Sequence, residues 1–337
     1  MATLPCWLLS AQRRLSHKGK AMTETPYSTH VAGSASGSTD TTQRQAWIIV
    51  LIAALVGLGL AIVWSFEVAD HVLGANIANT IVGADAKELV LDSSSLLSGV
   101  IFSIAAGLAA TFTACNCVVF SCIAPLTAGK STMSLWRTLG WMTLGILLIT
   151  GSYGIIGTLL GEKLPILNNA TLPIGKGYPI RLAQSSFIFV GLGVIFVWWG
   201  LHTLQILPNP LAKLFARNPW FKPFGLGLLI GCFTIGRPFG LFRKAFSNAI
   251  VAGDPFFGGL AIALQGLSNI LIMVLVLLGL IYATGGRFER WLSANPSRIT
   301  RFTAISVIVG GIFFIAYWGL RVPSYYEIGW FPHMSYR

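Results

Sequence analysis

Apolar residues run along this chain in long blocks separated by short polar connections. Seven blocks stand out, at about Ala46–Phe66, Leu96–Ile123, Leu135–Leu160, Gln184–Leu204, Phe224–Phe242, Phe256–Ala283 and Phe302–Leu320. Each is close to or above the roughly 20 residues that a helix needs to cross the hydrocarbon core. The pattern therefore predicts an all-α polytopic membrane protein of about seven transmembrane helices. A transmembrane barrel would show short alternating segments instead.

Two blocks are interrupted. The second exceeds the length of an upright span and ends at Pro125, and the fifth contains Gly231, Gly236, Arg237, Pro238 and Gly240. Glycine and proline break a membrane helix only where protein or a cavity satisfies the freed backbone groups. The interruptions lie three blocks apart, which divides blocks two to seven into two halves of three. An odd number of helices per half inverts its topology, so the expected fold is two inverted three-helix repeats with a site between them. Pro125, Gly236 and Pro238 are the expected hinge positions. Block one (residues 46–66) stands outside the repeat.

Composition agrees: 54% of the residues are hydrophobic and 10% are charged. The formal net charge of +12 does not require nucleic acid, because the basic residues fall in the connections, where the positive-inside rule accounts for them. With the N-terminus in the cytoplasm, fourteen of the 23 Lys and Arg lie on that side, which favours N-in, C-out. Residues 1–45 are rich in Ser, Thr and Gly towards their end and read as a disordered cytoplasmic tail. Met22 is an alternative start, in which case Cys6 lies outside the translated chain. Residues 321–337 read as a short C-terminal tail.

Chemistry concentrates in the two interrupted blocks. Ala114–Leu126 reads A-C-N-C-V-V-F-S-C-I-A-P-L and holds three of the five cysteines. On a helix Cys115 and Cys122 share a face but stand about 10 Å apart, too far for a disulfide without unwinding. Cys117 points almost the opposite way. The remaining membrane cysteine, Cys232, lies in G-C-F-T-I-G-R-P-F-G of the other half. A free cysteine is often only a small buried hydrophobe; the clustering beside a break is what raises redox chemistry, or a soft metal such as Cu(I), as alternatives. Arg237 is costly within a membrane. Either the block ends early and Arg237 lies at the interface, or it faces a cavity, where it could bind an anion or favour a thiolate nearby. Gln265, Ser268 and Asn269 share a helix face, and Asn116 adds an amide; these residues either line a polar path between halves or bind helices together. His202 lacks a second histidine at matching depth for bis-His haem, so no cofactor is expected.

The stretch G-L-A-A-T-F-T-A-C-N-C-V-V-F-S-C-I-A-P-L-T-A-G (residues 107–129) resembles the first cysteine helix of the DsbD/CcdA family, the cytochrome c biogenesis transmembrane proteins. Cys122-Ile-Ala-Pro125-Leu126 matches its C-x-x-P-L element. F-G-L-G-L-L-I-G-C-F-T-I-G-R-P-F-G (residues 224–240) is similar to the second. Here Ser121 replaces the proline before the first cysteine, Cys232 lies six residues before Pro238, Thr234 falls nearer the family's cysteine position, and Arg237 intrudes. Over residues 96–320 the resemblance implies a six-helix membrane domain carrying out thiol–disulfide electron transfer in a prokaryotic plasma membrane. Cys122 and Cys232 would form the working disulfide, with Cys115 and Cys117 beside them. The implied partners are a cytosolic thioredoxin-like donor and an extracytoplasmic thiol acceptor. Two other classes compete: a small-solute or metal-ion transporter on the same scaffold, using Arg237, Gln265, Asn269 and Asn116, and a non-catalytic subunit of a membrane complex.

Overall fold

The computed structural model describes residues 36–64, 75–83, 96–112, 132–208, 217–238, 240–285 and 296–332, with Leu214, Arg287, Arg290 and Ala294. The cysteine stretch, with Cys115, Asn116, Cys117, Cys122 and Pro125, therefore lies outside the described residues. The chain divides into two compact units, Met1–Thr42 and Gln43–Arg337. The description below concerns the second, together with the helix within which that boundary falls.

Helices dominate. They are α1 (Ser36–Val63), α2 (Ala75–Val82), α3 (Leu96–Ala109), α4 (Thr132–Leu160), α5 (Ile180–Thr203), α6 (Phe221–Gly236), α7 (Gly240–Ala252), α8 (Pro255–Ala283), α9 (Pro296–Ala316) and α10 (Val322–Ser324). A 3₁₀ turn, Ala110–Phe112, extends α3, and a π turn, Tyr317–Arg321, joins α9 to α10. Two short strands, β1 (Thr171–Leu172) and β2 (Tyr178–Pro179), form an antiparallel hairpin.

Five helices are long and apolar enough to cross a membrane, and six if the bent pair α6–α7 is one span. α3 is a shorter apolar helix whose continuation lies outside the described residues. The surface agrees with lipid as solvent: Phe187 is 82% exposed, Phe256 77% and Leu159 70%, a distribution that water would not tolerate. These features are compatible with an integral membrane protein.

Small residues set the helix contacts. A Cβ on Gly154 of α4 would stand 2.3 Å from Gly258 O of α8. Gly193 of α5 and Gly311 of α9 are related reciprocally, each Cβ falling 2.7 Å from the other's carbonyl. Without a hydrophobic force between helices in lipid, such close backbone approach is what holds them. α1 applies the same rule: Ala53, Gly57 and Ala61 recur every four residues and are its buried positions, with Gly57 against α9 at Val309 and Ile312. Phe189, Phe196, Phe233 and Phe314, tilted against one another, fill the main apolar core.

Three expected boundaries need correction. α1 starts at Ser36, before the apolar block, so the polar run Ser36–Gln45 is helical rather than irregular; once a long apolar helix is nucleated, adding polar turns to it costs little. The fifth block does not end at Phe242 but continues to Ala252 as α7. Nor are residues 321–332 a loose tail. Arg321 and Phe331 are buried, Lys176 N donates to Tyr326 O at 2.9 Å, the Tyr178 and Tyr326 rings meet edge to face, and Lys176 pairs with Glu327. Short polar composition hid these contacts because their partners come from the hairpin before α5.

Candidate functional site

The break between α6 and α7 positions the site. Pro238 disfavours helical backbone at the residue before it, and Arg237 accordingly is extended (φ −81°, ψ 120°), ending α6 at Gly236. α7 then leaves at an angle of 87°. The break is thus written by Gly236-Arg237-Pro238.

Arg237 does not reach the protein surface. It is 6% exposed, and its Nη1 donates to Ala110 O at 2.8 Å and Asn269 Oδ1 at 3.2 Å. Ala110 opens the 3₁₀ turn that follows α3. The guanidinium therefore ties this turn to α8 across the break in α6–α7.

The register of α3 on α8 makes this possible. Gly107 lies so close to α8 that a Cβ there would be 2.4 Å from Gln265 O. One turn later Thr111 Oγ1 donates to Asn269 O at 3.0 Å, and Ala110 O faces Arg237. Thr111, Thr234, Arg237, Gln265, Ser268 and Asn269 are all buried. The bundle is in this respect inside out, apolar at its surface and polar at this depth.

Two of these side chains hold a buried oxygen with no hydrogen-bond partner, Thr234 Oγ1 and Gln265 Oε1. Thr234 stands out from its peers. Thr150, Thr158 and Thr203 each donate to the carbonyl four residues earlier, at 2.8, 2.9 and 2.8 Å, which is the usual refuge of a helical hydroxyl in an apolar setting. Thr234 forgoes it, one turn before Arg237. Gln265 lies one turn before Asn269 on the same face of α8.

Between Leu96 and Ala283 the acids are Glu162 and Asp254. Glu162 lies in the 3₁₀ turn after α4; Asp254 caps α8, its Oδ1 accepting from Phe256 N at 2.9 Å.

Of the expected site residues, Arg237, Gln265 and Asn269 come to one buried region with Gly236 and Pro238 at its edge. Cys232 is a free, half-buried thiol that packs against the main apolar core. Two residues along a helix turn it about 200° from Thr234, so α6 directs the thiol and the hydroxyl to nearly opposite sides. Cys115, Asn116, Cys117, Cys122, Pro125 and the Cys122–Cys232 pairing lie outside the described residues. Among the described residues no three His, Cys, Asp or Glu side chains gather as a metal site would require. Sequence reasoning passed over Thr234 as a ligand and Thr111 altogether. The missed signal was that Gly107 and Thr111, and Thr234 and Arg237, are one turn apart on helices that meet at a break.

A second buried arginine gives a contrast. Arg321, 3% exposed, donates from Nη1 to Ala61 O at 2.7 Å and Trp64 O at 2.5 Å, and from Nε to Tyr325 Oη at 3.0 Å. Its guanidinium also lies 5.4 Å from the Tyr317 ring and 6.0 Å from the Tyr325 ring. It binds carbonyls at the C-terminal end of α1 and acts as a staple. No family model, curated protein or solved structure matches the chain.

Proposed function

We propose that this protein is a membrane carrier of a small polar solute, with its binding site where α3, α8 and the α6–α7 break meet. The observation that carries this reading is the buried Thr234 hydroxyl and Gln265 carbonyl oxygen, both without hydrogen-bond partners, which lie one turn before Arg237 and Asn269 in the sequence. A buried polar atom left unmade costs about 1–3 kcal/mol, and such groups persist where a ligand completes them.

The packing supports two inverted halves. Exchanging α3–α5 with α6–α9 in order maps the α3–α8 contact onto the α6–α4 contact, and maps α4–α8 and α5–α9 onto themselves. All four pairs pack closely. A solute site at the junction of a broken helix with the other half is where inverted-repeat carriers place theirs. In the N-in orientation expected from the loop charges, rocking of one half against the other would open the site to each side in turn, with Gly236 and Pro238 as hinges. A metal ion is the less suitable cargo, because Arg237 gives the site a positive charge.

The DsbD/CcdA-like shuttle remains the second reading, favoured by one feature: Cys232 stands just before the break, and the cysteine stretch begins directly after the turn that Arg237 holds. A full-length chain with all cysteines replaced by serine separates the two. Reconstituted in proteoliposomes with radiolabelled sulfate, phosphate, acetate, glycine and glycerol, it should take up the same solute as the wild type. Loss of uptake in that chain, or a Cys122–Cys232 disulfide that cycles with a thiol donor, would transfer the function to the cysteines.

A further inference from the structure

We infer that Arg181 and Arg243 form an anion site at the hairpin end of the bundle, and that the group it takes is a phosphate. The inference does not depend on the carrier reading. Several contacts bring its parts together. Ile180 N, beside Arg181 at the start of α5, donates to Ala170 O at 3.1 Å, which seats Arg181 next to the segment that holds Asn169. Arg243 of α7 reaches the same segment, its Nη2 donating to Asn169 Oδ1 at 3.0 Å. One turn further along both helices, Gln184 Nε2 donates to Tyr153 Oη at 3.0 Å, and the Tyr153 and Phe246 rings lie 5.6 Å apart. Gln184 follows Arg181 by three residues on α5, and Phe246 follows Arg243 by three on α7, so each shares a helix face with its arginine. α5 and α7 thus converge here, and the charges of Arg181 and Arg243 are near enough to repel.

Among the described residues, neither guanidinium has a carboxylate partner: Lys176 takes Glu327, and Asp254 caps α8. Arg243 is held by the neutral amide of Asn169, and its Nε is buried with no hydrogen-bond partner. A charged donor left unmade costs more than a neutral one, and like charges held together raise the cost further. One anion shared by both arginines answers both terms. Guanidiniums bind oxyanions through directed N–H to oxygen bonds, and a tetrahedral phosphate spreads its oxygens widely enough to meet two of them. Gln184 Oε1, also buried with no partner, is an acceptor for a phosphate oxygen that carries a proton. Arg181 is half-buried in the first turn of α5, at the end of a span. Inorganic phosphate and the headgroup of an anionic phospholipid therefore share the chemistry that the site recognises.

The test uses the full chain in maltoside micelles, which contain no phosphate. One arm titrates sodium phosphate against sodium chloride of equal ionic strength and reads binding by calorimetry and by the shift in melting temperature. The other dopes the micelles with phosphatidic acid, or with diacylglycerol as the phosphate-free control, and reads retained lipid by native mass spectrometry. The wild type should bind at least one of the two phosphate probes saturably. Arg243→Gln and Arg181→Gln should each weaken that binding about tenfold, the loss of one hydrogen bond to a charged group. Arg298→Gln, an exposed arginine on α9, should leave it unchanged. Arg181→Gln keeps the test decisive should Arg243→Gln unfold. Inorganic phosphate binding with this pattern assigns the site to a soluble ion; phosphatidic acid binding alone, with the same pattern, assigns it to a lipid headgroup. No saturable binding of either probe, or equal weakening by all three variants, would overturn the site, and so would retention of diacylglycerol equal to that of phosphatidic acid with no binding of inorganic phosphate.

Discussion

Arg237 and Arg321 are both buried arginines that bond main-chain carbonyls, yet they do different work; replacing each by Met tests that difference. Methionine matches the length and removes the charge. At Arg321 the change strands Ala61 O and Trp64 O, at about 1–3 kcal/mol each, and forfeits contacts with two tyrosine faces worth about 0.5–2 kcal/mol. Relief of the buried charge offsets part of this, leaving an expected loss of about 3–5 kcal/mol. At Arg237 the Asn269 bond is long at 3.2 Å and the other acceptor of that nitrogen is Ala110 O; on the carrier reading the charge serves the solute rather than the fold, so the expected cost is below that at Arg321, about 2 kcal/mol or less. Unfolding of the purified chains in mixed micelles titrated with SDS reads both numbers. Arg237→Met should remain folded and lose solute uptake, while Arg321→Met should unfold early and, where folded, take up solute normally. An Arg237→Met chain as unstable as Arg321→Met would make Arg237 a second staple and remove the reason to place a ligand there.

Three further outcomes follow from the packing. Gly154→Ala puts a methyl 2.3 Å from Gly258 O, whereas Gly151 has open space at that point; the first should cost about 1–3 kcal/mol and the second should be neutral or slightly stabilising, measured in the same SDS titration. Tyr178, in the hairpin outside the spans, has its phenol pushed above the ordinary 10.0 by burial and, secondarily, by Tyr326, against the lowering effect of its Ser186 bond. The folded state thus holds that proton more tightly, so its contribution is complete below pH 10 and is lost as pH rises through the raised value. Hydrogen exchange of the β1–β2 hairpin should be flat up to about pH 9, after correction for intrinsic rates, and protection should fall above 10; protection that rises with pH would contradict the burial. Lys176 and Glu327 are 69% and 60% exposed at the side chain, so Lys176→Ala should change stability by less than about 1 kcal/mol, with the backbone bond to Tyr326 keeping the C-terminal segment docked.

The spans were legible because apolar length is a one-dimensional signal. α8 was expected from Phe256 and starts at Pro255 after an Asp254 cap, and the block-four helix ends within a residue of its expected end. The break at Gly236-Arg237-Pro238 was equally legible, since proline and glycine act on the local backbone. The site was legible only in part. Arg237, Gln265 and Asn269 drew notice as polar residues in apolar blocks, but what distinguishes Thr234 from Thr150 or Thr158 is a hydrogen bond it does not make, and no residue type encodes that. The role of Ala110 is still less visible, because a main-chain carbonyl has no letter of its own. The docked C-terminal segment depends on a two-strand hairpin too short to show a period.

The central claim is that solute passes through the polar junction and does not depend on the thiols. Proteoliposome uptake of whichever radiolabelled solute the wild type carries, by the cysteine-free chain and by Thr234→Val, measured side by side, tests it most directly. The account predicts wild-type uptake in the first and about a tenfold loss of apparent affinity in the second. An inert cysteine-free chain beside a fully active Thr234→Val would contradict it.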